Sequence, residues 1–401
     1  MWTTLYEKVF LDGFHKPSYV VASLLLCDPV PTERELEDAI VRTLVHHPRL
    51  RSYVVSTLGV PTHFSLRSAE AWRSEVGLRV AKDNLHTLEE RLLSTPMDPR
   101  SAFPLEMVYL PENRALVLKA HHAMIDATSG FSLLRDFGVA LGNEIPKATK
   151  RPVERRLGLR AWVRGLRLKP RVPAVSLVTT YAPRFALRDE PVRYHEIVVD
   201  AAFARIAARA RSRESTFSEY LASAVLSAMH DYSAARPGIV PERIGLMSAR
   251  ARSRAPESAS FRADTCVVSL RSADLARAHA PATLRELRSV FHEPGHNDAA
   301  LAALYLSRKV VGSVEKAQPQ RFVHFTLSDL TGFGRKRSLS LGPLQVNDLR
   351  VLASPTSYDH AGMLVTRAGD RLRLVVVSHE GALDQKEILS RTLMHLGENE
   401  R

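Results

Sequence analysis

Leu118-Lys119-Ala120-His121-His122-Ala123-Met124-Ile125-Asp126-Ala127-Thr128-Ser129-Gly130 places two adjacent histidines ahead of an aspartate, with three residues between. Upstream, Glu106 to Lys119 clusters apolar residues on either side of Pro111-Glu112-Asn113-Arg114. That pattern predicts a β-hairpin that delivers the histidines at the end of a strand. Asp126 then caps a predicted helix from Ala127 to about Leu141, with Phe131, Leu134, Phe137, Gly138 and Leu141 at near-helical spacing. A strand end that turns into a helix presents a polar side chain from a rigid frame rather than from a mobile loop.

Before this stretch, Tyr19 to Cys27 predicts a buried strand that stops at Asp28-Pro29-Val30-Pro31. Thr32, with Glu35 in capping-box position, opens a helix whose face Leu36, Ala39, Ile40, Thr43, Leu44 and His47 ends at Pro48. Short strands are expected around Arg51 to Val55 and His63 to Arg67. His46 and His47 fall in the last helical turn, where an imidazolium complements the helix dipole. Between Lys147 and Arg171 about ten basic residues face the single acid Glu154, punctuated by Pro152 and Pro170, which reads as an exposed connection between domains.

The pattern restarts near Arg193. It predicts a strand over Tyr194 to Val199, a helix over Ala201 to Arg211, and a second capping box at Thr216 and Glu219 opening a deeply buried helix to about Tyr232. A strand over Ile244 to Ser248 leads into Arg250, Arg252 and Arg254, and Ala368-Gly369-Asp370 joins two late strands as a hairpin. Strands and helices mix in both halves in an α+β manner, and no repeat of 20 to 50 residues is visible.

At 401 residues the chain exceeds one ordinary core and suits two domains. Its 45% hydrophobic and 25% charged residues are those of a globular protein, and no apolar run approaches the roughly 18 residues of a membrane span. The first residues lack a secretory layout, and Cys27 and Cys266 have no paired spacing, so a reducing cytoplasm is the expected location. The net charge of +13 favours a polyanionic or phosphate-bearing partner. Nucleic acid is not expected, because no aromatic-basic interleaving accompanies the charge.

Histidine titrates nearest neutrality, so one imidazole of the pair has the chemistry to take a proton from a hydroxyl, amine or thiol attacking a carbonyl. Neighbouring strand residues point to opposite faces, which assigns one ring to a cleft and the other to the packing behind it. Two other readings fit the same residues: a core role without chemistry, and a metal site. The second needs further convergent ligands, and in His292-Glu293-Pro294-Gly295-His296-Asn297-Asp298 the Pro-Gly breaks the helical spacing such sites use. No metal is expected.

The His-His-x-x-x-Asp motif, borne on a strand in a chain of this length, resembles the chloramphenicol acetyltransferase-like superfamily. That superfamily includes nonribosomal peptide condensation domains and polyketide-associated and alcohol acyltransferases. Val45-His46-His47-Pro48-Arg49-Leu50 is similar to the family's early helix end, and Leu246-Met247-Ser248-Ala249-Arg250 to the strand whose arginine pairs with the motif aspartate. Ser328-Asp329-Leu330-Thr331-Gly332 stands where relatives carry a Ser-Asn-x-Gly-like segment.

The resemblance implies two α+β subdomains, each a mixed sheet with flanking helices, with a tunnel where they meet. The expected division is 1–145 for the subdomain bearing the motif, 146–190 for the basic connection and 191–401 for the second subdomain. It further implies His122 as general base, His121 in support, Asp126 paired with Arg250, and Ser328 near the tunnel and the oxyanion. The donor would be a thioester of coenzyme A or of a phosphopantetheine-bearing acyl carrier protein, and the acceptor a small alcohol or amine. No bound cofactor is needed, and a monomer is expected. The alternative is a non-catalytic member that binds a carrier protein or polyketide. Ala127 replaces the family's usual glycine after the aspartate, a change that a helical backbone tolerates. The Asp-Phe-Gly-Trp-Gly phrase of the plant branch is missing, with only a faint echo at Gly332-Phe333-Gly334.

Overall fold

The computed structural model describes residues 11, 19–57, 60–146, 159–160, 163, 191–236, 243–250, 264–292, 325–332, 339–355 and 361–398. The described elements fall into two compact units.

In the first unit a six-stranded mixed sheet is built from β1 (Tyr19–Leu26), β4 (Leu78–Val80), β5 (Leu105–Leu110), β6 (Ala115–His121), β11 (Leu339–Leu341) and β12 (Leu344–Ala353). Its order is β11-β12-β1-β6-β5-β4, antiparallel except for the parallel β4–β5 edge. The hairpin expected from the sequence is β5 and β6, joined at residues 111–114 where Arg114 takes a left-handed φ of 48°. A small sheet pairs β2 (Ser52–Thr57) with β3 (Val60–Leu66).

Leu116, Leu118 and Ala120 of β6 join a core with Leu24 and Leu26 of β1 and with two helices, α1 (Glu33–His46) and α4 (Ala127–Leu141). Between these helices in the chain lie the short α2 (Glu70–Glu75) and α3 (Leu85–Ser94). Helix α3 buries Leu88, Leu92 and Leu93 and packs on β1 and β6. All seven residues of β6 are therefore buried, and the strand end bearing His121 is covered on both faces.

Thr32 and Glu35 form the reciprocal capping box that opens α1, and Asp126 and Ser129 form another that opens α4. One expectation for this region is corrected. His47 does not act as an imidazolium on the helix dipole: it is buried, its Nε2 lies 3.1 Å from Asp136 of α4, and burial pulls its pKa down. It links α1 to α4.

The second unit carries β7 (Val192–Val199), β8 (Arg243–Arg250), β9 (Asp264–Arg271), β10 (Phe325–Asp329), β13 (Ala361–Ala368) and β14 (Arg371–His379), in the order β7-β14-β13-β10-β8-β9. Strands β8, β10 and β13 run parallel and the other pairs antiparallel. Helices α5 (Ala202–Ser212), α6 (Phe217–Ala234), α7 (Ser272–Leu275), α8 (Pro281–His292) and α9 (Gln385–Leu396) pack with the sheet. Helix α6 is buried nearly all round, as its run of Ala, Leu, Val and Met requires.

Each unit is thus a mixed sheet with helices, the α+β class expected. The run 191–401 is not confined to one of them, because β11 and β12 complete the first sheet. Strand β12 lies antiparallel to β1, and Arg350 reaches the buried Glu89 of α3 at 2.7 Å. Most of the basic connection 146–190 lies outside the described residues.

Candidate active site

The backbone fixes the motif in three steps. Strand β6 ends at His121, whose N–H donates to the Pro104 carbonyl at 3.0 Å. His122–Met124 then form a single 3₁₀ turn, and Ala123, Met124 and Ile125 insert into the core. Asp126 follows as the extended N-cap of α4, accepting at Oδ1 from the Ser129 N–H (2.8 Å) and hydroxyl (2.9 Å). Ala127 is the first residue of α4.

The two histidines have different surroundings. His121 is buried, meets the Tyr19 ring edge-on with centroids 5.9 Å apart, and accepts the Ala123 N–H at Nδ1 (3.2 Å). Burial lowers its pKa to about 3, with the neighbouring His122 and Lys119 adding to the effect, so it is neutral at any ordinary pH.

His122 is half-buried, and its Nδ1 lies 2.8 Å from the Ile125 carbonyl oxygen. A carbonyl only accepts, so Nδ1 carries the proton and Nε2 holds the lone pair. Burial also lowers the His122 pKa, opposed by that carbonyl and by the charge of Asp126. The outcome is a neutral imidazole of one tautomer, oriented by backbone, with a basic nitrogen at Nε2.

In the second unit, Ser328 is half-exposed near the end of β10, in register with Ala249 of β8 and Leu364 of β13. Arg250 ends β8, so both residues come to the carboxyl ends of adjacent parallel strands, a common place for binding sites in sheets with parallel strands. The side chain of Arg250 lies outside the described residues, and with it the expected pairing to Asp126. Next to Ser328, the Asp329 carboxylate accepts from the Ser218 hydroxyl (2.5 Å), the Thr331 N–H (3.0 Å) and the Thr331 hydroxyl (2.6 Å).

Among the described residues no group of three or more His, Cys, Asp or Glu is arranged to hold a metal ion; of His292 to Asp298 only His292 is described. Sequence reasoning missed Ser129, though Asp-x-x-Ser is a capping spacing, and missed Tyr19, whose contact with His121 depends on the register of β1 against β6.

No family model matches the chain, and no curated protein sequence matches it. Solved structures do. The first condensation domain of the calcium-dependent antibiotic synthetase superposes with a TM-score of 0.70 at 13% identity, over 98% of this chain and 94% of its own. The TRI3 trichothecene 15-O-acetyltransferase from Fusarium sporotrichioides gives 0.71 at 11% identity, over 98% and 94%. A structure described as the basis for condensation domain-mediated chain release from the enacyloxin polyketide synthase gives 0.61 at 14% identity, over 99% and 81%. The chain has the two-unit chloramphenicol acetyltransferase-like fold that these condensation domains and this acetyltransferase share.

Proposed function

We propose that the protein is an acyltransferase that moves an acyl group from a coenzyme A or carrier-protein thioester onto a hydroxyl or amine, with His122 as general base. The observation that carries this reading is the Nδ1–H bond from His122 to the Ile125 carbonyl, which leaves the basic lone pair on Nε2. The fold supports it as well, since the matched structures are condensation domains and an O-acetyltransferase.

In the proposed reaction Nε2 takes the proton of the acceptor as its oxygen or nitrogen attacks the thioester carbonyl carbon. The carbonyl π electrons move to oxygen, giving a tetrahedral oxyanion, with Ser328 as the candidate donor to it. Collapse of this intermediate breaks the carbon–sulfur bond, and the leaving thiolate takes the proton back from His122. The imidazolium formed in between strengthens its own bond to the Ile125 carbonyl, because charged donors bond more tightly. Asp126 holds the turn through its bonds to Ser129 and supplies a favourable charge to the imidazolium.

In this proposal Arg250 pairs with Asp126, and the two units meet in a tunnel that admits donor and acceptor. The surplus of positive charge, +13, suits the phosphates of coenzyme A and equally an acidic carrier protein. The test is mass spectrometry of products after the purified protein is incubated with mixed acyl thioesters and small alcohols and amines. An acylated acceptor formed only with protein supports the reading; intact thioester in every mixture refutes it.

A further inference from the structure

Lys119 takes no part in the chemistry above, yet it lies two residues before His121 on the same face of β6. Its side chain is fully buried. The ammonium donates to the Thr95 carbonyl at 2.6 Å and stands 4.3 Å from the centroid of the Tyr19 ring. Glu106 lies directly across on β5, and its charge only partly opposes the burial that lowers the lysine pKa to about 8. A buried ammonium is a poor source of stability, because an apolar chain of similar volume fills the space without desolvating a charge. What Lys119 holds in place explains it better.

It holds Tyr19. With the cation on its face, the ring is also fixed at its hydroxyl oxygen, which accepts the Met97 N–H at 2.6 Å, and at its backbone N–H, which donates to Ser354 Oγ at 2.7 Å. That ring meets His121 edge-on, with 86° between the ring planes. His121 in turn accepts the N–H of Ala123, the bond that starts the 3₁₀ turn, and the chain leaving the turn carries the Ile125 carbonyl to His122. Every step from Lys119 to His122 is a direct contact or a turn of backbone.

We propose that Lys119 and Tyr19 are positioning residues for the base: the ammonium fixes the Tyr19 ring, the ring fixes His121, and His121 holds the turn that sets the tautomer and direction of His122. The proposal rests on the reading of His122 as base. The charge of Lys119 also acts through space, helping to keep His121 unprotonated, and only an unprotonated Nδ1 accepts the Ala123 N–H.

The test uses the full chain with Lys119→Met, which keeps the length and removes the charge, and Lys119→Arg, which keeps a cation. Imidazole ¹⁵N NMR at neutral pH reads the tautomer of His122 without substrate, and thioester turnover reads catalysis. In Lys119→Met the expected result is an unchanged or raised Tm, a mixture of His122 tautomers in place of one, and a kcat lower by about 10- to 10²-fold at unchanged KM. Lys119→Arg should restore most of the turnover. Tyr19→Leu, read in the same way, replaces Lys119→Met if that variant does not fold. A single His122 tautomer in the variant overturns the proposal, as does an unchanged kcat. If the wild-type protein transfers no acyl group, the functional reading fails, and the NMR result still decides whether Lys119 sets the histidine.

Discussion

Acid should weaken the second unit through His279, and the size of the effect follows from its surroundings. His279 is buried with a left-handed φ of 59°, and its ring stacks on Tyr220 at 3.5 Å between centroids and 6° between planes. Its Nε2 donates to the His395 carbonyl at 2.8 Å and its N–H to Ser223 Oγ at 3.0 Å. Burial, reinforced by the charge of Arg213, lowers its pKa to about 4, against roughly 6.5 in an unfolded chain. The folded protein therefore keeps this ring neutral while the unfolded chain protonates it, so stability is lost as pH falls from 6.5 towards 4. At pH 5 the loss is about 2 kcal/mol from this residue. Other groups titrate too, so the comparison is with His279→Asn, since asparagine tolerates the left-handed backbone. The variant loses the stacking and should be less stable at pH 7. Its further loss between pH 7 and pH 5, read by urea unfolding, should be smaller than wild type by about 2 kcal/mol, or about 4–8 °C in Tm. Equal losses in the two proteins refute the reasoning.

Three further outcomes are expected from denaturation of variants. Asp126→Ala removes the side-chain acceptor of the Ser129 N–H and hydroxyl, leaving the hydroxyl only the Asp126 backbone carbonyl, and should cost about 1–2 kcal/mol, whereas Asp126→Asn, which keeps an oxygen, should cost less. Gly138→Ala, ordinarily a gain of about 1 kcal/mol in a helix, should instead destabilise by about 1–3 kcal/mol, because a Cβ there overlaps the backbone of Leu341. Arg350→Ala leaves the buried Glu89 carboxylate without its guanidinium and should cost about 3–5 kcal/mol, which would show that β12 is integral to the first unit.

Local rules made much of this legible in the chain. The hairpin of β5 and β6, the cap at Asp126 and the helix body 127–141 follow from alternation, turn residues and capping, all acting within a few residues. The placement of β11 and β12 does not, because register between strands more than 200 residues apart depends on which edges remain unpaired after folding. The short helices α2 and α7 and the three-residue strands β4 and β11 offer too few residues for a period to show. His47 illustrates the same limit at a single site: its place in the last helical turn is visible in the sequence, whereas Asp136, its partner from another helix, is not. For the candidate site, the motif named the histidines, but the tautomer of His122 depends on where the Ile125 carbonyl lands after the turn.

The most direct test of the central claim compares acyl transfer from thioester to acceptor by wild type and by His122→Ala across pH, with circular dichroism to confirm that the variant folds. Because burial lowers the His122 pKa and the unprotonated form is the base, wild-type kcat/KM should rise with pH along a limb lying below the roughly 6.5 of free imidazole. The variant should lose that limb and about 10²- to 10⁴-fold of the rate. A folded His122→Ala protein that transfers acyl groups at the wild-type rate would contradict the account.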